Sequence, residues 1–106
     1  MVYSVERKGK YREDTFLHSG MIQKIHTPVS VTLFYNHRVR QVTPTNIVWN
    51  GREYDIIRIG LHHTYRIGRT LFHIFSVETD ALFFKLVYDT DSLHWILEEI
   101  ADGEPN

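Results

Sequence analysis

From Thr27 onward the chain alternates short β-branched and aromatic runs with turn residues, the pattern of an antiparallel meander. Val29, Val31, Leu33 and Tyr35 recur at period two with Ser30 and Thr32 between them, so this strand has one apolar face. Asn36-His37 supplies a turn. Pro44 has no N–H to give to a ladder and is expected at the start of the next strand or on an edge. That strand runs through Ile47 to Trp49 and into Asn50-Gly51, whose residues accept the positive φ angles of a two-residue type I′ hairpin turn. Counting outward, Trp49 faces Arg52, Ile47 faces Tyr54 and Thr45 faces Ile56. Ile47, Trp49, Tyr54 and Ile56 therefore share one buried face. The apolar phase then slips to Ile57, Ile59 and Leu61. Regular alternation cannot carry both phases, so a β-bulge or sharp bend is predicted at Ile56 to Arg58. Bends of this kind let a small sheet curl towards a barrel.

Arg66-Ile67-Gly68-Arg69 reads as the next loop, which sets Leu61 opposite Ile74, His62 opposite His73 and His63 opposite Phe72. Glu78-Thr79-Asp80-Ala81 turns the chain into a strand of Leu82, Phe84, Leu86 and Tyr88. Thr90-Asp91-Ser92-Leu93 closes the last loop, with Tyr88 opposite Trp95, Leu86 opposite Leu97 and Lys85 opposite Glu98. Leu93, Ile96, Leu97 and Ile100 also have helical spacing, with Ser92 as an N-cap and Gly103 as a stop. A short C-terminal helix over 92–101 is thus the alternative to a strand. The expected fold class is all-β: a bent antiparallel meander of five or six strands closing towards a small barrel of SH3-like size. Residues 21–101 form the single β domain, 1–20 a polar extension and 102–106 a frayed tail. Within the extension, Val2, Tyr3 and Val5 pair across Lys8-Gly9 with Tyr11 and Phe16.

Composition narrows the classes. A chain of 106 residues is one domain by size, and 42% hydrophobic content supplies a core. The absence of cysteine excludes disulfides, thiolate metal sites and a cysteine nucleophile. No window approaches the ~20 apolar residues of a membrane span. Met1 to Lys10 lacks the apolar core of a signal peptide, so a cytoplasmic location is expected. The net charge of −1 hides a polarity along the chain. Residues 1–70 hold eleven Lys/Arg against five Asp/Glu, whereas residues 71–106 hold Lys85 against eight acids. Such asymmetry marks an anionic partner or, in a compact β domain, two halves that neutralise each other.

The span from Thr27 to Ile100 resembles a small bacterial all-β domain family found alone or in the neighbourhood of translesion-polymerase accessory proteins. The shared pattern is Pro28, Val29 and Val31, then Trp49, Gly51, Arg52 and Tyr54. It continues with Phe84, Leu86, Tyr88 and Asp89, and ends on Trp95 and Leu97. His62-His63 stands where that family carries a Trp. These are core and turn positions, so the resemblance implies a fold and transfers no catalytic residue.

Candidate chemistry is sparse. Seven histidines invite a metal reading, and His62 opposite His73 would bring two imidazoles within reach of Zn²⁺ or Ni²⁺. No third ligand is marked, so neither a metal site nor a cofactor is assigned. No nucleophile elbow or phosphate-cradling loop is present, and no catalytic residue is assigned. Arg38, Arg40, Arg58, His62, Tyr65, Arg66 and Arg69 make the middle third a candidate surface for single-stranded nucleic acid, by phosphate contact and base stacking. Arg52 is expected to lie over Trp49 as a cation–π contact. Phe83, Val87 and Ile96 form a second apolar row, for a second buried layer or self-association. The sequence thus points to a non-enzymatic binding or accessory module, acting on a protein partner or a second copy. Single-stranded nucleic acid is the alternative ligand. Beyond the bend, Arg58, His62 and Arg66 are the preferred functional candidates.

Overall fold

The computed structural model describes residues 22–102. The polar extension, with its expected pairing of Val2, Tyr3 and Val5, lies outside them, as do residues 103–106. Among the described residues there are seven strands: β1 Ile22–Pro28, β2 Ser30–Asn36, β3 Gln41–Trp49, β4 Arg52–Ile67, β5 Thr70–Thr79, β6 Leu82–Asp89 and β7 His94–Asp102. They form one antiparallel sheet in the order β1-β7-β6-β5-β4-β3-β2.

The all-β meander is present, with three corrections. There are seven strands because β1 precedes the expected first one. Its sequence, Ile-Gln-Lys-Ile-His-Thr-Pro, lacks apolar alternation because it is an edge strand interrupted by an irregularity between Lys24 and Thr27. No ladder joins β1 to β2, so the sheet is not closed into a barrel. Residues 94–102 are strand and not helix, and Asp102 belongs to β7 and not to a tail.

The Asn50-Gly51 hairpin forms as predicted. Both residues have positive φ (55° and 76°), and the ladder pairs Trp49 with Arg52 and Ile47 with Tyr54. It ends at Asn46–Asp55, short of the expected Thr45–Ile56 pair. There β4 bends: the register shifts between Ile56 and Arg58, where the phase slip placed it, and again between Ile59 and Leu61. Pro44 sits inside β3, a strand with neighbours on both sides. It is tolerated because the β2–β3 register jumps there, Thr32 facing Asn46 and Leu33 facing Pro44, with Thr45 as the extra residue. The Thr45 hydroxyl donates to the Thr32 carbonyl at 3.3 Å, tying the extra residue to β2.

Between β4 and β5 the turn is two residues, Gly68-Arg69. Positive φ at Gly68 alone is the type II′ pattern. The register is therefore shifted by two from expectation: His62 faces Phe75, His63 faces Ile74 and Leu61 faces Ser76. A shift of two preserves which face each side chain occupies. In the last hairpin Tyr88–Trp95 and Leu86–Leu97 pair as expected, but Glu98 is bulged and Lys85 faces Glu99 instead.

Bending at Ile56–Leu61 folds the sheet over one core. Ile47, Tyr54, Phe75, Val77, Phe84, Leu86 and Leu97 are buried together, with Val29, Trp49 and Ile56 packed against them. Phe84 of β6 meets Trp49 edge-on at 6.0 Å and Tyr54 at 4.9 Å, although β6 and β3 are separated by two strands in the sheet. Arg52 lies over Tyr54 at 4.6 Å, not over Trp49. The face opposite this core is also apolar. Val87 (7% exposed) is buried with Ile74 and Ala101, while Phe83 and Ile96 are half-buried, so the second row is a buried layer and not a free surface. The charge polarity partly cancels within the fold. Lys24–Glu99 (3.0 Å) and Arg58–Glu78 (2.7 Å) each join a cation of the first part of the chain to an acid of the second, and His26 Nδ1 lies 3.0 Å from Glu98 Oε1.

Candidate binding surface

On the core side of the sheet two rows of side chains cross the strands. One runs His62, Phe75, Leu86, Leu97; the next runs Thr64, His73, Tyr88, Trp95. The first lies largely in the core and the second at its open rim. Direct cross-strand pairing stacks His62 on Phe75 (4.2 Å, 7° between planes) and Tyr88 on Trp95 (4.6 Å, 26°). Phe75 also meets Trp95 at 5.7 Å, and His73 meets Tyr88 at 6.3 Å. The rim is thus one continuous group of stacked and tilted rings.

His62 and His73, expected to face each other, meet diagonally: His62 Nε2 and His73 Nδ1 are 2.8 Å apart, one donating and the other accepting. Among the described residues no three His, Cys, Asp or Glu side chains converge as metal ligands. Burial, then the neighbouring His73, holds the His62 imidazole below its ordinary value. Burial, then Lys85 and His62, does the same for His63. In the β6–β7 turn, burial acts to raise the Asp89 carboxyl. The Asp91 and Ser92 N–H groups, the Ser92 hydroxyl and His94 outweigh it, and Asp89 lies below the usual carboxylate range.

The arginine-rich set does not converge. His62 and Arg66 share the core side, but Tyr65 lies on the opposite face, stacked on Phe72 at 5.1 Å. Arg58 is held by Glu78. Arg69 sits at the β4–β5 turn, and Arg38 and Arg40 at the turn between β2 and β3. A hollow of about 240 Å³ at Ile57, Glu78, Asp80 and Phe83 is acidic and smaller than the ~300–1,000 Å³ of ordinary small-molecule sites.

What the sequence reading missed is the edge of β2. Val29 donates its N–H to the Trp95 carbonyl at 3.2 Å, so at Val29 the backbone points towards β7. Backbone groups alternate sides along a strand. Val31, Leu33 and Tyr35 therefore turn their N–H and C=O groups to that same side, while Thr32 turns to β3, as its bond with Thr45 shows. β7 begins at His94, so among the described residues no strand lies beside that side of β2 beyond Val29. The open edge starts where Trp95 and the aromatic rim end.

The two edges of the sheet differ in chemistry. β1 carries Lys24, His26 and Pro28 and has its irregularity between Lys24 and Thr27, all features that discourage pairing. β2 reads Ser-Val-Thr-Leu-Phe-Tyr-Asn, with no charge, no proline and no bulge of its own. Its Leu33, Phe34 and Tyr35 are exposed (39%, 56% and 58%). The signal for this was present as an uncharged eight-residue run from Val29 to Asn36. Fold and surface together define an all-β domain with one open, apolar sheet edge beside an aromatic rim. Comparison with protein-family models, with curated proteins and with solved structures returned no match.

Proposed function

We propose that this domain is a non-enzymatic binding module that takes an extended polypeptide segment on the free edge of β2. The unguarded β2 edge carries this reading. A guest strand there satisfies the backbone groups of Val31, Leu33 and Tyr35, lies in line with β7, and brings its own side chains to Trp95 and Tyr88. Main-chain bonds supply affinity and alternate side chains supply selectivity, as in strand addition generally. A cytoplasmic accessory role beside DNA-handling proteins is the setting implied by the resemblance around Trp49 and Trp95. No helix among the described residues is long and apolar enough to cross a membrane.

The test is selection of a displayed random-peptide library on dilute immobilised protein, followed by amide chemical-shift mapping. Enriched peptides alternating apolar and aromatic residues, shifting Val31, Leu33 and Tyr35, support the reading. Peptides that bind elsewhere, or no enrichment, sink it.

A second reading rests on the aromatic rim with Arg66 on the same face: single-stranded nucleic acid stacks on the rings and meets Arg66 and Arg69 through phosphate. It predicts salt-sensitive retention of a single-stranded oligonucleotide, weakened by Arg66→Ala. No retention at low salt removes this reading.

A further inference from the structure

We infer that the end of the sheet holding the β2–β3, β4–β5 and β6–β7 turns docks on the surface of an anionic lipid bilayer. Apolar turn residues enter the headgroup layer there, and arginines beside them meet the lipid phosphates. The inference is independent of strand docking, since it uses side chains at the turns and not the backbone edge of β2.

Alternating strand directions carry those three turns to one end of the sheet, and the β3–β4 and β5–β6 turns to the other. Two contacts fix the grouping. Thr70 donates its hydroxyl to Asp91 at 2.6 Å, tying the β4–β5 turn to the β6–β7 turn. The Val29–Trp95 bond starts β2 beside the first residues of β7, so β2 runs towards the same end.

Among the described residues, five of the six most exposed large apolar side chains lie in these turns or within three residues of them. They are Leu93 (64%), Tyr35, Val39 (57%), Phe34 and Ile67 (53%). The turns at the other end, Asn50-Gly51 and Asp80-Ala81, expose none. Leu93 is held at φ 66°, a conformation that glycine or asparagine adopts far more readily. The fold gains little packing from that strained leucine, because its side chain is mostly exposed.

Arg38 and Arg40 flank Val39, and Arg66 and Arg69 flank Ile67-Gly68. All four are exposed, and among the described residues none of them stands in an ion pair. The two acids at this end are engaged by the turns themselves. Asp89 accepts from the Asp91 and Ser92 N–H groups, and Asp91 accepts from Thr70. These arginines share no groove, which a narrow ligand needs; a plane needs only that they share one end. Aliphatic residues set between arginines suit a headgroup layer, where apolar groups sink below the cations. Nucleic acid offers phosphate to the arginines but no apolar layer to Val39, Ile67 and Leu93.

The experiment is co-sedimentation of the full chain with phosphatidylcholine vesicles containing about 30% phosphatidylserine, beside vesicles of phosphatidylcholine alone. Binding is expected on the anionic vesicles at about 0.1 M salt, lost at about 0.5 M and absent on phosphatidylcholine. The Arg38→Gln, Arg40→Gln double variant should lower partitioning about twenty-fivefold, at about fivefold per arginine. Leu93→Asn should lower it at least about threefold. Its urea midpoint should hold or rise, because asparagine suits φ 66°, and this separates lost lipid contact from lost fold. No binding to the anionic vesicles overturns the inference. Binding that Leu93→Asn and Val39→Asn leave unchanged also overturns it. Capture of a single-stranded oligonucleotide, lost with the same arginines, would then assign this end to nucleic acid instead.

Discussion

Phe84 is where the folded-over sheet is held together, and replacing it tests the architecture directly. Its side chain is fully buried and contacts Trp49 and Tyr54, which belong to the β3–β4 hairpin and not to a neighbouring strand. Truncating a core phenylalanine to alanine costs about 3–5 kcal/mol. The loss of two edge-on aromatic contacts, each worth about 0.5–1.5 kcal/mol, places Phe84→Ala near the top of that range. The expected loss is therefore about 4–5 kcal/mol, against a total of about 5–15 kcal/mol for a domain. Urea unfolding followed by tryptophan fluorescence reads this as a fall in midpoint of about 2 M with an unchanged slope. Phe84→Leu should lose about 1–2 kcal/mol, because most of the volume stays. Tyr35→Ala, at an exposed position, should stay within about 0.5 kcal/mol in dilute solution. A loss below about 1.5 kcal/mol for Phe84→Ala would refute the reasoning, since a flat sheet would leave Phe84 with no hairpin to hold.

Three further outcomes follow from local geometry. Gly51→Ala should cost about 1–2 kcal/mol in a thermal melt, purely from backbone strain at φ 76°, because an added Cβ meets nothing within 4 Å; a neutral substitution would mean the turn is not type I′. Arg58→Ala should cost less than about 1 kcal/mol, because its pair with Glu78 is exposed; a loss above about 2 kcal/mol would give the bend a role in stability that this pair does not explain. Stability should rise with pH as it approaches the ordinary histidine value of about 6.5 from the acid side, because His62 and His63 bind protons less tightly folded than unfolded and the unfolded chain therefore holds more protons there. Urea midpoints against pH should flatten in a His62→Gln, His63→Gln variant, and an unchanged slope there would assign the effect to other groups.

Local signals in this chain were legible where one residue decides one geometry. Asn50-Gly51 dictated its turn and register because few other residues accept positive φ at both positions. The phase slip from Ile56 to Ile57 located the bend because alternation on a half-buried strand cannot be broken silently. Tyr88–Trp95 and Leu86–Leu97 followed from loop length. The failures came where tertiary pairing overrides local pattern. β1 has no apolar stripe to announce it, because β7 supplies its pairing and Glu98 and Glu99 supply its partners. Pro44 was kept out of a central strand by a rule that a bulge relaxes. The polar Arg66 and Arg69 suggest a four-residue loop, whereas Ile67 pairs with Thr70 and leaves a turn of Gly68-Arg69 alone. His62 and His73 met anyway, because a two-residue error preserves the face.

The binding surface was harder to read because an edge is a property of topology. Whether β2 is open depends on where β7 starts and on which side β3 pairs, and neither is encoded within residues 30–36. Once those two facts are in place, the composition of the strand acquires meaning. This chain protects its other edge with a lysine, a histidine, a proline and an irregularity, all within the seven residues of β1. The same devices would suit the exposed positions of β2, where a lysine at Leu33 or Tyr35 would disturb no core packing. An open edge without them exposes backbone donors beside Leu33, Phe34 and Tyr35, which invites aggregation unless a defined partner takes the place. The contrast between the two edges therefore argues for a docking role more strongly than the exposure of any single side chain. It also locates the decisive residue: Leu33, at the centre of the strand, where one added charge is enough to close the edge.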